Sequence, residues 1–331
     1  MHKRLAALAL AAASVTVLSG CSTTAPASSA DGTVQVVAST NVYGSLAAEI
    51  GGDRVTVTSL IDSVSKDPHS YEASARDRLA VQKADLVIEN GGGYDAFMEE
   101  LRDGSDATLI TAAEFSHDYP GAADEHGDEH ADEHAADEHA DAADEHEGHA
   151  EHDHAHSEGF NEHVWFDPHT ISHVAEQIAA DLTELDPAGK ADFAANAKKL
   201  SGELDGIETE LDALHQKLEG TPVLITEPLP GLLAAAAGLD DVTPAGFASA
   251  VEEGNDVAPA TLLETLSLIE DGKVSAVLAN AQTGGSETSR VEDAAKQAGI
   301  PVLTFSELLE SDQSYAEWMR AAISSLAALH K

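Results

Sequence analysis

Nine histidines, His126, His130, His134, His139, His146, His149, His152, His154 and His156, are threaded through repeated Asp-Glu-His triplets and nearly all stand beside a carboxylate. No Lys or Arg interrupts the chain from Asp103 to Gly189. Neutral imidazole nitrogens are borderline-soft donors suited to zinc, copper and nickel, and the adjacent carboxylates add oxygen donors and a field that concentrates cations. The chemistry is capture of a divalent cation. Residues 117–158 offer little apolar area beyond alanine, too little to offset the entropy of ordering a backbone, so a disordered His/Asp/Glu-rich loop is predicted there. An acidic solubilising spacer would account for the carboxylates but not for the histidines at their sides.

Candidates for a fixed site flank that tract. Asp67-Pro68-His69 falls after a predicted strand and before an amphipathic helix, where open α/β sheets present ligands, so His69 is sited to point into a crevice. In Glu162-His163-Val164-Trp165-Phe166-Asp167 the aromatic residues can wall off water and strengthen electrostatic binding, with Trp165 in the wall and Asp167 placed to orient an imidazole. His169 and His173, one helical turn apart, offer a competing chelating pair. Asp95 with Gly91-Gly92-Gly93 reads as a structural turn, His215 and His330 as helix-surface residues, and Asn280 and Gln282 as cleft-facing without an assigned role.

Short β-branched runs alternating with amphipathic segments must position these residues. Strands are predicted at 34–39, 55–60, 85–89, 108–111, 223–226, 274–279 and 302–305, and helices at 43–50, 73–84, 94–102, 172–185, 262–270, 286–298 and 314–329. The pattern implies an α/β fold of two lobes, each with a mostly parallel sheet flanked by helices. Between them Phe193, Ala197, Leu200, Leu204, Ile207, Leu211, Leu214 and Leu218 recur at steps of four and three, one apolar stripe on a long helix. Asp186-Pro187 opens it and Glu219-Gly220-Thr221-Pro222 stops it. A coiled-coil dimer would carry the same stripe; its central place in the chain favours one rigid helix joining two lobes of a monomer. The expected division is an amino-terminal lobe over 33–186, a linker helix over 187–219 and a carboxyl-terminal lobe over 220–331.

The first residues fix a compartment. His2-Lys3-Arg4 and the alanine- and leucine-rich run after them read as a secretory signal over 1–21, too short to span a membrane as a mature helix. Leu18-Ser19-Gly20-Cys21 resembles a bacterial lipobox, which makes Cys21, the single cysteine, a lipidation site rather than a redox or catalytic thiol. Residues 22–32 then read as a flexible tether. The net charge of −43 repels nucleic acid and anionic headgroups, so cations are the natural ligands of an extracytoplasmic, lipid-anchored protein.

Together these parts resemble the metal-specific solute-binding lipoproteins of bacterial ABC importers for zinc and manganese. The likeness rests on Asp67-Pro68-His69 with Tyr71-Glu72, on Glu162-His163-Val164-Trp165, on the histidine-rich insertion between them and on the long helix. It implies a metal held between two α/β lobes by His69 and His163 from the first, with Glu227 and Glu307 as candidates from the second. Each glutamate also directly follows a predicted strand, so both emerge at the same edge of a parallel sheet, as ligands or as helix-start carboxylates. The resemblance further implies an ABC permease as partner and zinc as cargo; zinc members usually carry histidine where Glu227 stands, and manganese members glutamate, which keeps manganese as the alternative. A metallohydrolase is disfavoured, because His146-Glu147-Gly148-His149 lacks the H-E-x-x-H spacing and four protein ligands leave no position for an activated water. A surface adhesin or metal-buffering lipoprotein is the remaining alternative.

Overall fold

The computed structural model describes residues 32–64, 66, 68, 70–120, 159–310 and 313–330. Eight short strands form two four-stranded sheets in which every pairing is parallel. The first contains β1 (Val34–Thr40), β2 (Val55–Ile61), β3 (Leu86–Glu89) and β4 (Thr108–Thr111) in the order β2-β1-β3-β4. The second contains β5 (Thr221–Ile225), β6 (Leu239–Asp241), β7 (Ala276–Asn280) and β8 (Val302–Phe305) in the order β6-β5-β7-β8. Both sheets reverse strand order at one place, between β1 and β3 and between β5 and β7, and that reversal opens a crevice beyond the carboxyl ends of the strands.

Helices cover both sheets, as parallel crossovers require. Around the first lie α1 (Asn41–Gly51), α2 (Ala75–Val81), α3 (Phe97–Arg102) and α4 (Pro168–Leu185). After the 29-residue α5 (Lys190–Leu218) come α6 (Gly231–Ala236), α7 (Phe247–Glu252), α8 (Pro259–Glu270), α9 (Ser286–Ala298) and α10 (Tyr315–Ala327). Two starts fall earlier than predicted because proline opens the first turn: Pro168 of α4 behind its Asp167 cap, and Pro259 of α8. Ser74 and Ser314 each form a capping box, with Asp77 and Glu317, which sets the starts of α2 and α10.

The predicted stripe on α5 is the spine of the molecule. Phe193, Leu200, Leu204, Ile207, Leu211, Leu214 and Leu218 are buried, while Ala197 packs at the edge of the core. α5 packs on α1 and α4 from the first half and on α6 and α10 from the second, and one apolar cluster runs continuously from Val34 to Leu326. The stripe is thus used up inside the chain, and no seam is left on it for a coiled coil.

Candidate metal centre

His163 is fully buried and immediately precedes a short 3-10 turn, Val164–Phe166, whose three side chains are also buried. Its Nδ1 lies 2.8 Å from Asn161 Oδ1, and its backbone N–H donates to the same oxygen at 3.0 Å. An amide oxygen can only accept, so the imidazole proton sits on Nδ1 and Nε2 presents its lone pair. Asn161 is itself held across the molecule, because its Nδ2 donates to the Pro228 carbonyl at 3.0 Å, one residue from Glu227. Trp165 is fully buried and meets the His163 ring edge-on with centroids 5.1 Å apart. Asp167, expected to orient an imidazole, caps α4 instead: it accepts from the N–H groups of His169 and Thr170 and from the Thr170 hydroxyl. The orienting residue is Asn161.

Glu227 and Glu307 follow β5 and β8 and are buried, with 1% and 0% exposure. Asn280, at the end of β7, joins them: its Nδ2 donates to Glu227 Oε2 at 2.8 Å and to Glu307 Oε1 at 2.7 Å. One amide thus holds two carboxylates side by side, one hydrogen to each. Thr283 also donates to Glu227 Oε2. Glu307 Oε2 accepts from the Tyr94 hydroxyl at 2.7 Å, and burial together with the Glu307 charge pushes the Tyr94 phenol well above its ordinary value, which keeps the proton on the tyrosine. Tyr94 also packs its ring against His163, centroids 5.9 Å apart, so a single side chain from the first half touches the candidate histidine and a candidate carboxylate from the second.

The turn that delivers Tyr94 is built by Asp95. Its carboxylate accepts from the N–H groups of Asn90 at 2.7 Å and Gly91 at 2.8 Å, while Asn90 Nδ2 donates to the Glu162 carbonyl at 2.9 Å. Gly92 adopts φ +67°, and a Cβ there would stand 2.8 Å from the Phe160 ring, so both backbone angle and packing require glycine. The predicted helix from residue 94 accordingly begins only at Phe97.

Glu252, at the end of α7, escaped the sequence reading. Its Oε1 lies 3.9 Å from His163 Nε2, its side chain is 7% exposed, and Glu162, His163 and Glu252 bring ligand atoms within 4.8 Å of one another. Burial, then the charges of Glu162, Glu227 and Glu307, push the Glu252 carboxyl up to about 9. Four carboxyl groups thus act on one buried space faced by one imidazole nitrogen, a donor set that a divalent cation would neutralise. A short helix of six residues is too brief to show an apolar period, so α7 gave no signal in the sequence.

The remaining first-half candidate, His69, lies outside the described residues, as do Asp67, Cys21, the signal segment, the tether as far as Asp31, and the nine tract histidines. The described start of the predicted loop is a turn over 117–120 in which Tyr119 packs edge-on against Phe160, centroids 5.4 Å apart. His169 is exposed and His173 is partly exposed on the first turns of α4, apart from His163.

The family described as zinc-uptake complex component A, periplasmic, matches residues 36–329. The chain belongs to this family. It is a family of transporter receptors, not of enzymes. The manganese-binding lipoprotein MntA of Halalkalibacterium halodurans is 24% identical over 233 residues, 68% of this chain and 65% of that protein. The chain therefore spans just under two thirds of that relative. The iron ABC transporter substrate-binding lipoprotein MtsA of Streptococcus pyogenes is 23% identical over 310 residues, 91% of this chain and 88% of that one. The periplasmic zinc-binding protein TroA of Treponema pallidum shares the fold at a TM-score of 0.68, with 18% identity, covering 91% of this chain and all of that chain. Membership of the zinc-uptake family accounts for the two parallel sheets and the long helix, while the relatives' names span manganese, iron and zinc.

Proposed function

We propose that this protein is an extracytoplasmic receptor that captures zinc between its two sheets and delivers it to an ABC permease, anchored by a lipid at Cys21. The observation that carries this reading is the aim of His163 Nε2, fixed by Asn161, into a buried space shared by Glu227, Glu307 and Glu252. His163, Glu227 and Glu307, with His69 from the segment before α2, are the proposed ligands; Tyr94, Asn280 and Thr283 hold the carboxylates in place. Two imidazoles and two carboxylates suit tetrahedral zinc. At equal ligands zinc binds more tightly than manganese, and the histidine-rich tract supplies donors of the same preference. The tract gathers ions weakly and the caged site holds one tightly.

Manganese is the second reading, favoured by the carboxylates, since Glu252 and Glu162 add oxygen donors to those of Glu227 and Glu307 around the same space. Titration of the metal-stripped full chain with each ion decides between them. Zinc is expected to give one tight step followed by weak ones, with the tight step lost in His163→Ala. Tighter binding of manganese would overturn the choice of cargo, and a tight step surviving His163→Ala would overturn the site.

A further inference from the structure

We infer that a second, solvent-facing metal site lies on α4, where His169 and His173 chelate one divalent cation. The two Nε2 atoms are 3.3 Å apart and the rings stand edge-on, with centroids separated by 4.8 Å. Two nitrogens bound to one tetrahedral zinc at about 2.05 Å stand roughly 3.3 Å apart, so the side chains already hold the spacing of one edge of that tetrahedron. Residues four apart on a helix share a face, and His169 and His173 occupy the first two turns of α4, which Asp167 caps. His173 Nδ1 lies 3.8 Å from Glu176 Oε2, an arrangement that favours the proton on Nδ1 and leaves Nε2 as the donor.

Helix α5 packs on α4, and the charge of His169 reaches Glu208 of α5. Burial raises its carboxyl and the His169 imidazole pulls it back down, while Asp205, Asp212 and Asp167 contribute negative charge around it. These carboxylates offset the positive end of α4, which alone would repel a cation. Imidazole donors with a carboxylate select zinc, copper or nickel over magnesium or calcium. Exposure of His169 and the small donor number make the site weaker and faster to exchange than a buried cage. It shares no residue with the proposed site between the sheets.

The competing state is a hydrogen bond between two neutral imidazoles at the same distance, and diffraction separates the two. Crystals of the full chain equilibrated with zinc buffered at low-micromolar free concentration, measured at the zinc absorption edge, should show an anomalous peak between His169 and His173. His173→Ala should abolish that peak and leave the one beside His163. A peak beside His163 with none at the pair overturns this inference, as does a peak that persists in His173→Ala. A peak at the pair with none beside His163 would uphold it while removing the receptor reading.

Discussion

Metal affinity in a buried site depends on which nitrogen of an imidazole carries the proton, and here that choice is made by Asn161. The residue fixes His163 through Oδ1 and is fixed in turn by Pro228. Outer partners of this kind are generally worth about 10–100-fold in metal affinity. Asn161→Ala should weaken zinc binding by that order in direct titration while the circular dichroism stays that of the parent; unchanged affinity would remove Asn161 from the site. Glu252 tests the opposite side. Its carboxyl, pushed up to about 9, is protonated at neutral pH when no cation is present, so Glu252→Gln should leave the thermal midpoint of the metal-free protein nearly unchanged. A cation in the same space would draw the proton off Glu252 and gain its charge, so zinc binding by this variant should weaken several-fold. If affinity is unaltered, Glu252 only lines the cleft.

The long helix was legible in the sequence because seven buried positions over 29 residues define a period without ambiguity. Ile207 lies fully buried in this stripe, and truncating it leaves a cavity that rigid neighbours fill poorly. Ile207→Ala should cost about 2–5 kcal/mol by denaturant unfolding. A loss near zero would mean that the helix is not packed as described. The strand ends were legible from short β-branched runs, and with them the places of Glu227 and Glu307 in the chain, while His163 stood out by its aromatic neighbours Trp165 and Phe166. α6, β6 and α7 were not: six, three and six residues are too few for a helical or strand period to emerge. Of these α7 carries Glu252, so the carboxyl that was missed near His163 is borne on a helix of only six residues. Asn161 was missed, and Asn280 was placed in the cleft without a role, for another reason, since a neutral amide has no spacing signature and its role exists only in the folded contacts.

At the scale of the whole molecule, a charge of −43 coexists with buried acids whose protonation folding favours. Glu89 at the end of β3 is the clearest away from the site: burial, then the charge of Asp95, push its carboxyl from 4.5 to about 7, against the pull of Arg102 at 2.8 Å. A carboxyl raised on folding stabilises the fold below its unfolded value and loses that contribution as pH climbs through the folded one. Glu89→Gln, which mimics the protonated group, should therefore gain stability relative to the parent as the buffer moves from below 4.5 to above 7, by at most about 3 kcal/mol. Parallel stability curves for the two proteins would contradict the assignment.

The histidine-rich tract poses the last question at this scale, because it holds nine of the seventeen histidines. Its described edges are structural: Tyr119 packs on Phe160, and Phe160 sits where a Cβ on Gly92, two residues before Tyr94, would collide. Cutting from His117 would strip that packing and could disturb the Gly91–Tyr94 turn for reasons unrelated to metal. A deletion confined to residues 121–158 keeps both aromatic residues and removes all nine tract histidines. If the tract is an accessory store, this variant should lose the weak zinc equivalents and retain the single tight step with its affinity within a few-fold of the parent. Should the tight step vanish while thermal stability is preserved, the tract supplies a ligand that the folded body lacks, and the division between a weak store and a caged ion fails. Because metal capture by imidazole competes with protons near pH ~6.5, the weak equivalents of the parent should also be the first released as the medium acidifies, whereas the buried step, shielded and carboxylate-rich, should hold to lower pH.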